Sequence, residues 1–390
     1  MLICMLGNQP GLSVAELEAI AGSQLVRPLG NDYALVDIDK EKLDHSKLGG
    51  TIKVAELIRI IPTSRWNKVS AMAFDEIFKI LKEKTLETQH KLTLGISVNE
   101  FKISPKQLWL LSFAISKKFK KEGRTIRVIM GKNFQLNSAQ VIHNKLTGEF
   151  GFEFLIISHA GKAYFAKTLS VQDIDSYSKR DYGKPKRDMN VGMIPPKLAQ
   201  IMLNLSNVNK ENVILDPFCG TGSILMEAAM RHSKVYGSDI KQLMIDYSKI
   251  NLDWLAKEYS LNIDYTLVLA DATTYKWNSS FDRVVTETYL GPSIKYMQSD
   301  DSIDKAVDYC NNLIRKFLIN LRPQLNKNAR CCIAIPVWNS KNGFIHLPVL
   351  RQLKELGYMR HEFTHVNFAD LIYYRSEQIV GRELLVLTIK

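Results

Sequence analysis

The sequence predicts an α/β protein with a mostly parallel sheet in its second half and smaller α+β units ahead of it. Three observations carry this reading. From residue 191 onward, apolar runs such as NVILD, KVYGSD, LVLAD and FDRVVT alternate with helical stretches, the pattern of βαβ units. Residues 1–60 and 61–165 instead mix short strands with single helices. The 390 residues also exceed one ordinary domain.

The elements follow in order. LICMLG is a strand. Ser13 and Glu16 have the S-x-x-E spacing of a capping box, and Leu12 with Leu17 fits a hydrophobic staple, so a helix is expected over 14–21. YALVDID and TIKVAELIRII are strand-like and complete a first α+β piece, 1–60. In SPKQLWLLSFAISKKFKKEG, Ser104 caps a helix, Pro105 takes its first position, Gln107 closes the box and Gly123 ends it. TIRVIMG is a strand and NSAQVIHNKL a short helix. FEFLIIS and KAYFAKTL form a hairpin about HAGK, completing a second α+β piece, 61–165. Residues 166–190 read as a linker, most polar over VQDIDSYSKRDYGKPKRDMN. Residues 191–390 form the α/β domain and close with the strands ARCCIAIPVW and ELLVLTIK.

Charge is placed unevenly. Net charge is +12, and residues 61–190 hold 23 lysines and arginines against 12 acids, an excess of 11. A basic stretch in an otherwise balanced chain suits a polyanion, with nucleic acid leading that class. Lys117, Lys118, Lys120 and Lys121 crowd the end of one helix, and Arg180, Lys184, Lys186 and Arg187 cluster in the linker; all eight are candidate RNA contacts. The start, MLICMLGNQP, lacks a basic n-region, and no apolar run approaches the ~20 residues of a membrane helix. An intracellular, cytoplasmic protein is expected. Cys4, Cys219, Cys310, Cys331 and Cys332 show no CxxC spacing, so neither a disulfide framework nor a cysteine-based zinc site is expected, and no metal is expected.

ILDPFCGTGSILMEAAM, residues 214–230, carries the chemistry. Asp216 ends an apolar strand, and Gly220 and Gly222 let the chain turn tightly where a ligand approaches the backbone. A dinucleotide fingerprint would need a third glycine at Leu225, and no Gly-Lys-Ser/Thr makes a P-loop. A leading acid with two glycines suits a ligand with a cationic end, and S-adenosylmethionine is one. Asp239 ends the next strand, 17 residues past Gly222, where a ribose-binding acid falls. Asp271, in LVLADAT, ends the strand after that, where a carboxylate can accept from an adenine amino group. Glu287, in FDRVVTETYLGP, is the fourth acid in the series. A carboxylate there can accept the proton of a base amino group, and Tyr289 can stack on the base.

DPFCGTGS with these acids resembles the class I S-adenosylmethionine-dependent methyltransferases. KRDYGKPKRDMNVGMIPPKLAQIMLNL, NSAQVIHNKL and LGNQPGLSVAELEAI resemble, more narrowly, the THUMP-domain RNA methyltransferases that act on the guanine 2-amino group of tRNA. The resemblance covers most of the chain. It implies a ferredoxin-like piece over 1–60, a THUMP RNA-binding domain over 61–165, and a Rossmann-like methyltransferase domain over 191–390. It implies a cofactor, S-adenosyl-L-methionine, held by Asp216, Phe218, Gly220, Gly222, Asp239 and Asp271, and a catalytic pair, Glu287 and Tyr289. The implied partners are tRNA, gripped at its acceptor end, and a small activating subunit of the kind some relatives use. The chain departs from the family's Asp-Pro-Pro-Tyr loop: it reads Glu287-Thr288-Tyr289-Leu290.

That departure leaves a methylase of a different base atom, or a non-catalytic RNA-binding protein or chaperone on a vestigial methyltransferase fold, as the alternatives. Retained cofactor binding separates the latter from an enzyme. A pyrimidine-carbon methylase needs a cysteine nucleophile, and 281–298 holds none. The missing third glycine disfavours a nicotinamide oxidoreductase. Tyr373, Tyr374 and Arg375 could border the substrate pocket.

Overall fold

The computed structural model describes residues 1–88, 90–188, 193–277, 279, 281–292 and 300–389. By compactness the chain forms two units: residues 1–7, 24–46 and 51–174, and residues 8–23, 47–50 and 175–390. The MNVG stretch of the family resemblance, 189–192, lies outside the described residues.

Among the described residues the first unit holds eight strands in one sheet. They are β1 (Leu2–Leu6), β2 (Val26–Leu29), β3 (Tyr33–Val36), β4 (Thr51–Ile61), β5 (Leu92–Asn99), β6 (Ile126–Ile129), β7 (Gly151–His159) and β8 (Lys162–Val171), in the order β2-β3-β1-β4-β8-β7-β5-β6. Strands from 1–60 and from 61–165 thus join directly, β4 pairing antiparallel with β8. The pieces expected on either side of residue 60 share a sheet rather than standing as separate compact bodies. The hairpin β7–β8 turns at Ala160 and Gly161, both at positive φ, as expected about HAGK.

Two long helices pack on this sheet. α1 (Pro10–Ala21) belongs to the second unit; α2 (Trp66–Glu87) and α3 (Pro105–Lys121) belong to the first. The sequence reading did not pick out α2. It buries Val69, Ala73, Ile77 and Leu81, one per turn, beside Leu108, Leu111, Ile115 and Phe119 of α3. α3 starts as read, with Gln107 Oε1 accepting from the Ser104 amide at 2.8 Å. α4 (Ser138–His143) is capped by Asn137, which accepts from the Gln140 amide at 2.8 Å.

The reading of α1 needs correction. Pro10 occupies its first turn, so the helix begins well before residue 14. Ser13 and Glu16 lie inside it, buried, and clamp another segment of the second unit. Ser13 Oγ donates to Gly50 O at 2.8 Å, and the Glu16 carboxylate accepts from the Gly49 and Gly50 amides at 2.9 and 2.8 Å. Asn204 Nδ2 also donates to Glu16. The S-x-x-E spacing was real, but its polar atoms serve a tertiary contact.

The supposed linker also folds. Residues 174–182 form α5 (Ile174–Tyr182). The second unit continues with α6 (Pro196–Leu205), β9 (Val213–Asp216), α7 (Ser223–Ala229), β10 (Lys234–Asp239), α8 (Gln242–Glu258), β11 (Tyr265–Leu269), β12 (Phe281–Glu287), α9 (Asp300–Leu321), β13 (Leu325–Ser340), β14 (Gly343–Ile345), β15 (Tyr358–Arg360), β16 (Ile372–Tyr373) and β17 (Val380–Ile389). The main path of its sheet is β11-β10-β9-β12-β13-β17-β15. The first five strands are parallel, and β17 is antiparallel to β13 and β15. Buried Ile214, Leu225, Val235, Val285 and Val386 lie in the core on one side of the sheet; Leu215, Val284, Phe317, Ile333 and Leu387 lie in the core on the other. This is the doubly wound arrangement that the alternating strands and helices predicted.

Candidate active site

The strand order reverses beside β9, which has β10 on one side and β12 on the other. In open parallel sheets a ligand crevice forms beyond the strand ends at such a point. Asp216 ends β9, Asp239 ends β10 and Glu287 ends β12, while Asp271 follows β11 by two residues. The four acids read from the sequence therefore meet at one edge.

The loop from Asp216 to Ser223 is shaped by its two glycines. Gly220 and Gly222 have φ of +51° and +81°, a region costly for other L-residues. A Cβ on Gly222 would come within 2.9 Å of Ser248 Oγ, so α8 also requires a glycine there, whereas the space beside Gly220 is open. Ser248 Oγ donates to Gly220 O and Asn251 Nδ2 to Thr221 O, each at 2.8 Å. Asp239 accepts from the Gly220 amide at 3.1 Å and the Lys241 amide at 2.9 Å. These bonds aim its carboxylate without using all its lone pairs. Asp271 is exposed and accepts from Thr273 N and Oγ1. Phe218 stands edge-on to Phe317 at 5.1 Å.

Asp216 is only 1% exposed. It accepts from Thr286 Oγ1 at 2.6 Å and from the Phe218 amide at 3.3 Å, tying the ends of β9 and β12 together. Burial pushes its carboxyl up to about 7, with the negative charges of Asp239 and Glu287 adding to the rise. Its depth suits an organising charge beneath the ligand more than a surface group.

Glu287 is nearly buried, and Arg382 Nε of β17 donates to its Oε1. Burial raises the Glu287 carboxyl while the guanidinium opposes the rise. Arg382 had no signal in the sequence: it lies 95 positions away and outside any motif. The loop after Glu287 is pinned by Thr288, whose amide and Oγ1 donate to Ala334 O at 2.9 and 3.2 Å. Tyr289 is 44% exposed and meets Tyr309 edge-on at 5.8 Å. Tyr373 lies beside Arg382, its ring centroid 6.0 Å from the guanidinium carbon. Tyr374 accepts from Asn339, and Arg375 donates to the Tyr373 hydroxyl.

One cysteine does reach the loop, from a helix outside residues 281–298. Cys310 of α9 donates to Tyr289 O at 3.8 Å, but it is fully buried and its thiol is pushed up to about 11. Burial likewise pushes Cys331 up to about 12 and raises Cys219 and Cys332. None is a ready thiolate nucleophile. Among the described residues no cluster of metal-ligating side chains occurs, and no helix is long and apolar enough to cross a membrane.

The eight candidate RNA contacts divide. Lys117, Lys118, Lys120 and Lys121 are exposed on α3. Arg187 is exposed over Tyr182, and Lys186 is partly exposed over Tyr247. Arg180 and Lys184 are not available. Arg180 is buried on Glu227, with Nε 2.6 Å from Oε1, and Lys184 is buried with Nζ donating to Ser223 Oγ at 2.7 Å. Burial lowers Lys184 to about 8. Their charges serve the inside of the second unit because α5 packs there instead of spanning as a linker.

Comparison with known proteins decides the family. A profile described as RMKL-like, methyltransferase domain, matches residues 184–362, and one described as DNA methylase matches 52–249, just over half the chain. The chain belongs to the S-adenosylmethionine-dependent methyltransferases. This methyltransferase is 33% identical over 145 residues to a tRNA (guanine(10)-N2)-dimethyltransferase of Methanothermobacter thermautotrophicus, covering 37% of this chain and 39% of that one. It is 36% identical over 115 residues to the Pyrococcus abyssi protein of that name, covering 29% and 33%. The matched stretches thus span well under half of those relatives. The crystal structure of TrmN from Thermus thermophilus superposes with a TM-score of 0.55 at 14% identity, covering 100% of this methyltransferase and 99% of that chain, a likeness of fold. The fold class expected from sequence, an α/β chain with α+β parts ahead of a Rossmann-like methyltransferase domain, is the one found.

Proposed function

We propose that this methyltransferase modifies the exocyclic 2-amino group of a guanosine in tRNA, in the cytoplasm. The observation that carries the reading is the placement of Glu287 at the end of β12, beside the glycine loop at the switch point. The names of the relatives point to the same atom.

Bound S-adenosylmethionine supplies a methyl carbon whose bond to sulfur breaks, the electron pair staying on sulfur, as that carbon bonds to the amino nitrogen, which then sheds one proton. The chain's residues bind and orient. The Gly220–Gly222 backbone admits close approach, Asp239 takes the ribose hydroxyls, and Asp271 takes the adenine amino group. Asp216 fixes the loop from below and favours a cationic ligand. Glu287 accepts hydrogen bonds from the guanine amino group, raising electron density on a nitrogen conjugated with its ring, and offers a place for the proton. Tyr289 stacks on the base once it leaves its helix.

RNA capture falls to the THUMP part, 61–165, acting on the tRNA acceptor end. Its support is α3: Trp109 and Phe113 are each 47% exposed and stacked 4.8 Å apart, on the helix face that also carries Lys106, Lys117, Lys120 and Lys121. Lysines contribute sequence-blind attraction to phosphates, and exposed rings offer bases a platform. A small activating subunit completes the enzyme if the lone chain proves silent.

The altered Glu287-Thr288-Tyr289-Leu290 loop favours one second reading, methylation of another base atom. The test is transfer from labelled S-adenosylmethionine to unmodified tRNA, followed by nucleoside identification. Methylguanosine carrying the label on N2 supports the proposal, and any other methylated nucleoside replaces it. Absence of transfer despite cofactor and tRNA binding, with and without cell extract to supply a subunit, contradicts it.

A further inference from the structure

We propose that Arg382 is the positioning residue of the methyl-transfer site, clamping Glu287 from β17 in place of a proline-stiffened loop. This rests on the proposed role of Glu287 and goes beyond it by naming what holds that carboxylate.

The register makes the clamp geometrically specific. Glu287 pairs with Ala334 of β13, Ala334 pairs with Leu384 of β17, and Arg382 lies two residues from Leu384. Side chains two apart on a strand share a face, so Glu287, Ala334 and Arg382 share one. The side chain between acid and base is the single methyl of Ala334. Two strand spacings come to ~10 Å, a gap that a long glutamate and a longer arginine can close together. An aspartate would fall one methylene short. The longer acid and the distant arginine thus form one device.

Burial makes the pairing consequential. The side chains are 12% and 7% exposed for Glu287 and Arg382. A buried ion pair is a poor source of stability compared with apolar packing, so its presence beside the glycine loop calls for another role. The groups facing Glu287 can be named. From β9 comes Asp216, whose negative charge opposes ionisation of a neighbouring acid; from β17 comes Arg382; from β16 comes the Tyr373 ring beside Arg382; and Tyr289 follows in its own loop. Ala334 and Pro336 of β13 add no charge. Arg382 is therefore the cation that opposes the rise that burial causes in Glu287. It engages Oε1, and in the proposed clamp Oε2 serves the amino group. Thr288, doubly bonded to Ala334 O, fixes the backbone that prolines would otherwise stiffen.

The test uses the full chain with Arg382→Met and Arg382→Lys, assayed for methyl transfer to tRNA across pH 5.5–9, with thermal stability and S-adenosylmethionine affinity measured alongside. For Arg382→Met we expect a ~100-fold fall in kcat near pH 7, the size of loss that a slight misplacement causes, with cofactor affinity within about twofold. Removing the cation favours the neutral acid, so the acidic limb of the pH profile moves upward. Arg382→Lys should recover part of the rate and move the limb back. A uniform loss with an unmoved limb, or one tracking stability, overturns the proposal. A second readout needs no activity: the Glu287 carboxyl titration, followed by 13C NMR of glutamate-labelled protein and assigned with Glu287→Gln. An upward displacement in Arg382→Met supports the clamp even if wild-type protein fails to methylate guanine, in which case only the proposed reaction fails. An unchanged titration refutes it.

Discussion

On α3 of the first unit basic charge stays outside, whereas several charges of the second unit go inside, as Lys53 does on Glu153 within the first unit's own sheet. On α3, lysines stand in solvent around a stacked Trp109–Phe113 pair. In the second unit, Arg180 pairs with Glu227, Arg382 pairs with Glu287, and Asp216 bonds Thr286, all within the protein. Surface cations cost little and attract a polyanion at a distance. Buried charges cost much and are kept only where partners hold them in one geometry. The contrast teaches that a basic residue near a basic run is an RNA candidate only if no buried acid waits for it.

The sharpest way to break this contrast is to remove one charge of each kind. Arg180→Met leaves Glu227 buried and uncompensated, and we expect a stability loss of ~3–5 kcal/mol in denaturant titrations. Its tRNA affinity, measured where the variant is folded, should keep the wild-type salt dependence. The triple variant Lys117→Gln, Lys120→Gln, Lys121→Gln should do the opposite: unchanged melting, weaker tRNA binding, and a salt slope shallower by about two to three. If Arg180→Met flattens the slope, the inside–outside division is wrong.

A smaller effect separates binding functions. Asp239→Ala should weaken S-adenosylmethionine binding by about 10- to 100-fold in calorimetry while tRNA affinity stays near wild type. Equal loss of both would mean that the cofactor loop and the RNA surface are not independent.

The smallest expected effect sharpens the role of Asp216. Its carboxyl lies at about 7, so near neutrality it is partly protonated. A cationic ligand above it favours the ionised form, and cofactor affinity should therefore fall severalfold between pH 8 and pH 6. Asp216→Asn should remove that dependence. The stability sign is reversed. Because the folded value exceeds the ordinary 3.8, the folded state loses stability as pH rises from the carboxylate range through about 7. Asp216→Asn should therefore melt higher than wild type at pH 8.

Local patterns were legible in the sequence. DPFCGTGS, the four acids at strand ends, the capped start of α3 and the β7–β8 hairpin each depend on residues close together in the chain. What was hidden depends on distant partners. Ser13 and Glu16 looked like a cap because nothing nearby shows Gly49, Gly50 and Asn204 waiting for them. α5 looked like a linker because its polar surface conceals Tyr177 and Arg180, which bury against the second unit. Arg382 lay in an apolar strand with no motif. Cys310 reached the loop from α9. Periodicity finds elements; it does not find which element will be opposite.

The central claim is that Glu287 handles the amino group at the methyl-transfer step. Its most direct test compares wild-type protein with Glu287→Gln on unmodified tRNA, measuring transfer rate together with cofactor and tRNA affinity. Glutamine keeps the size and one acceptor oxygen but cannot take a proton, so we expect N2-methylguanosine formation to fall by about 100-fold or more with both affinities nearly unchanged. A Glu287→Gln protein that methylates guanine at the wild-type rate would contradict the account.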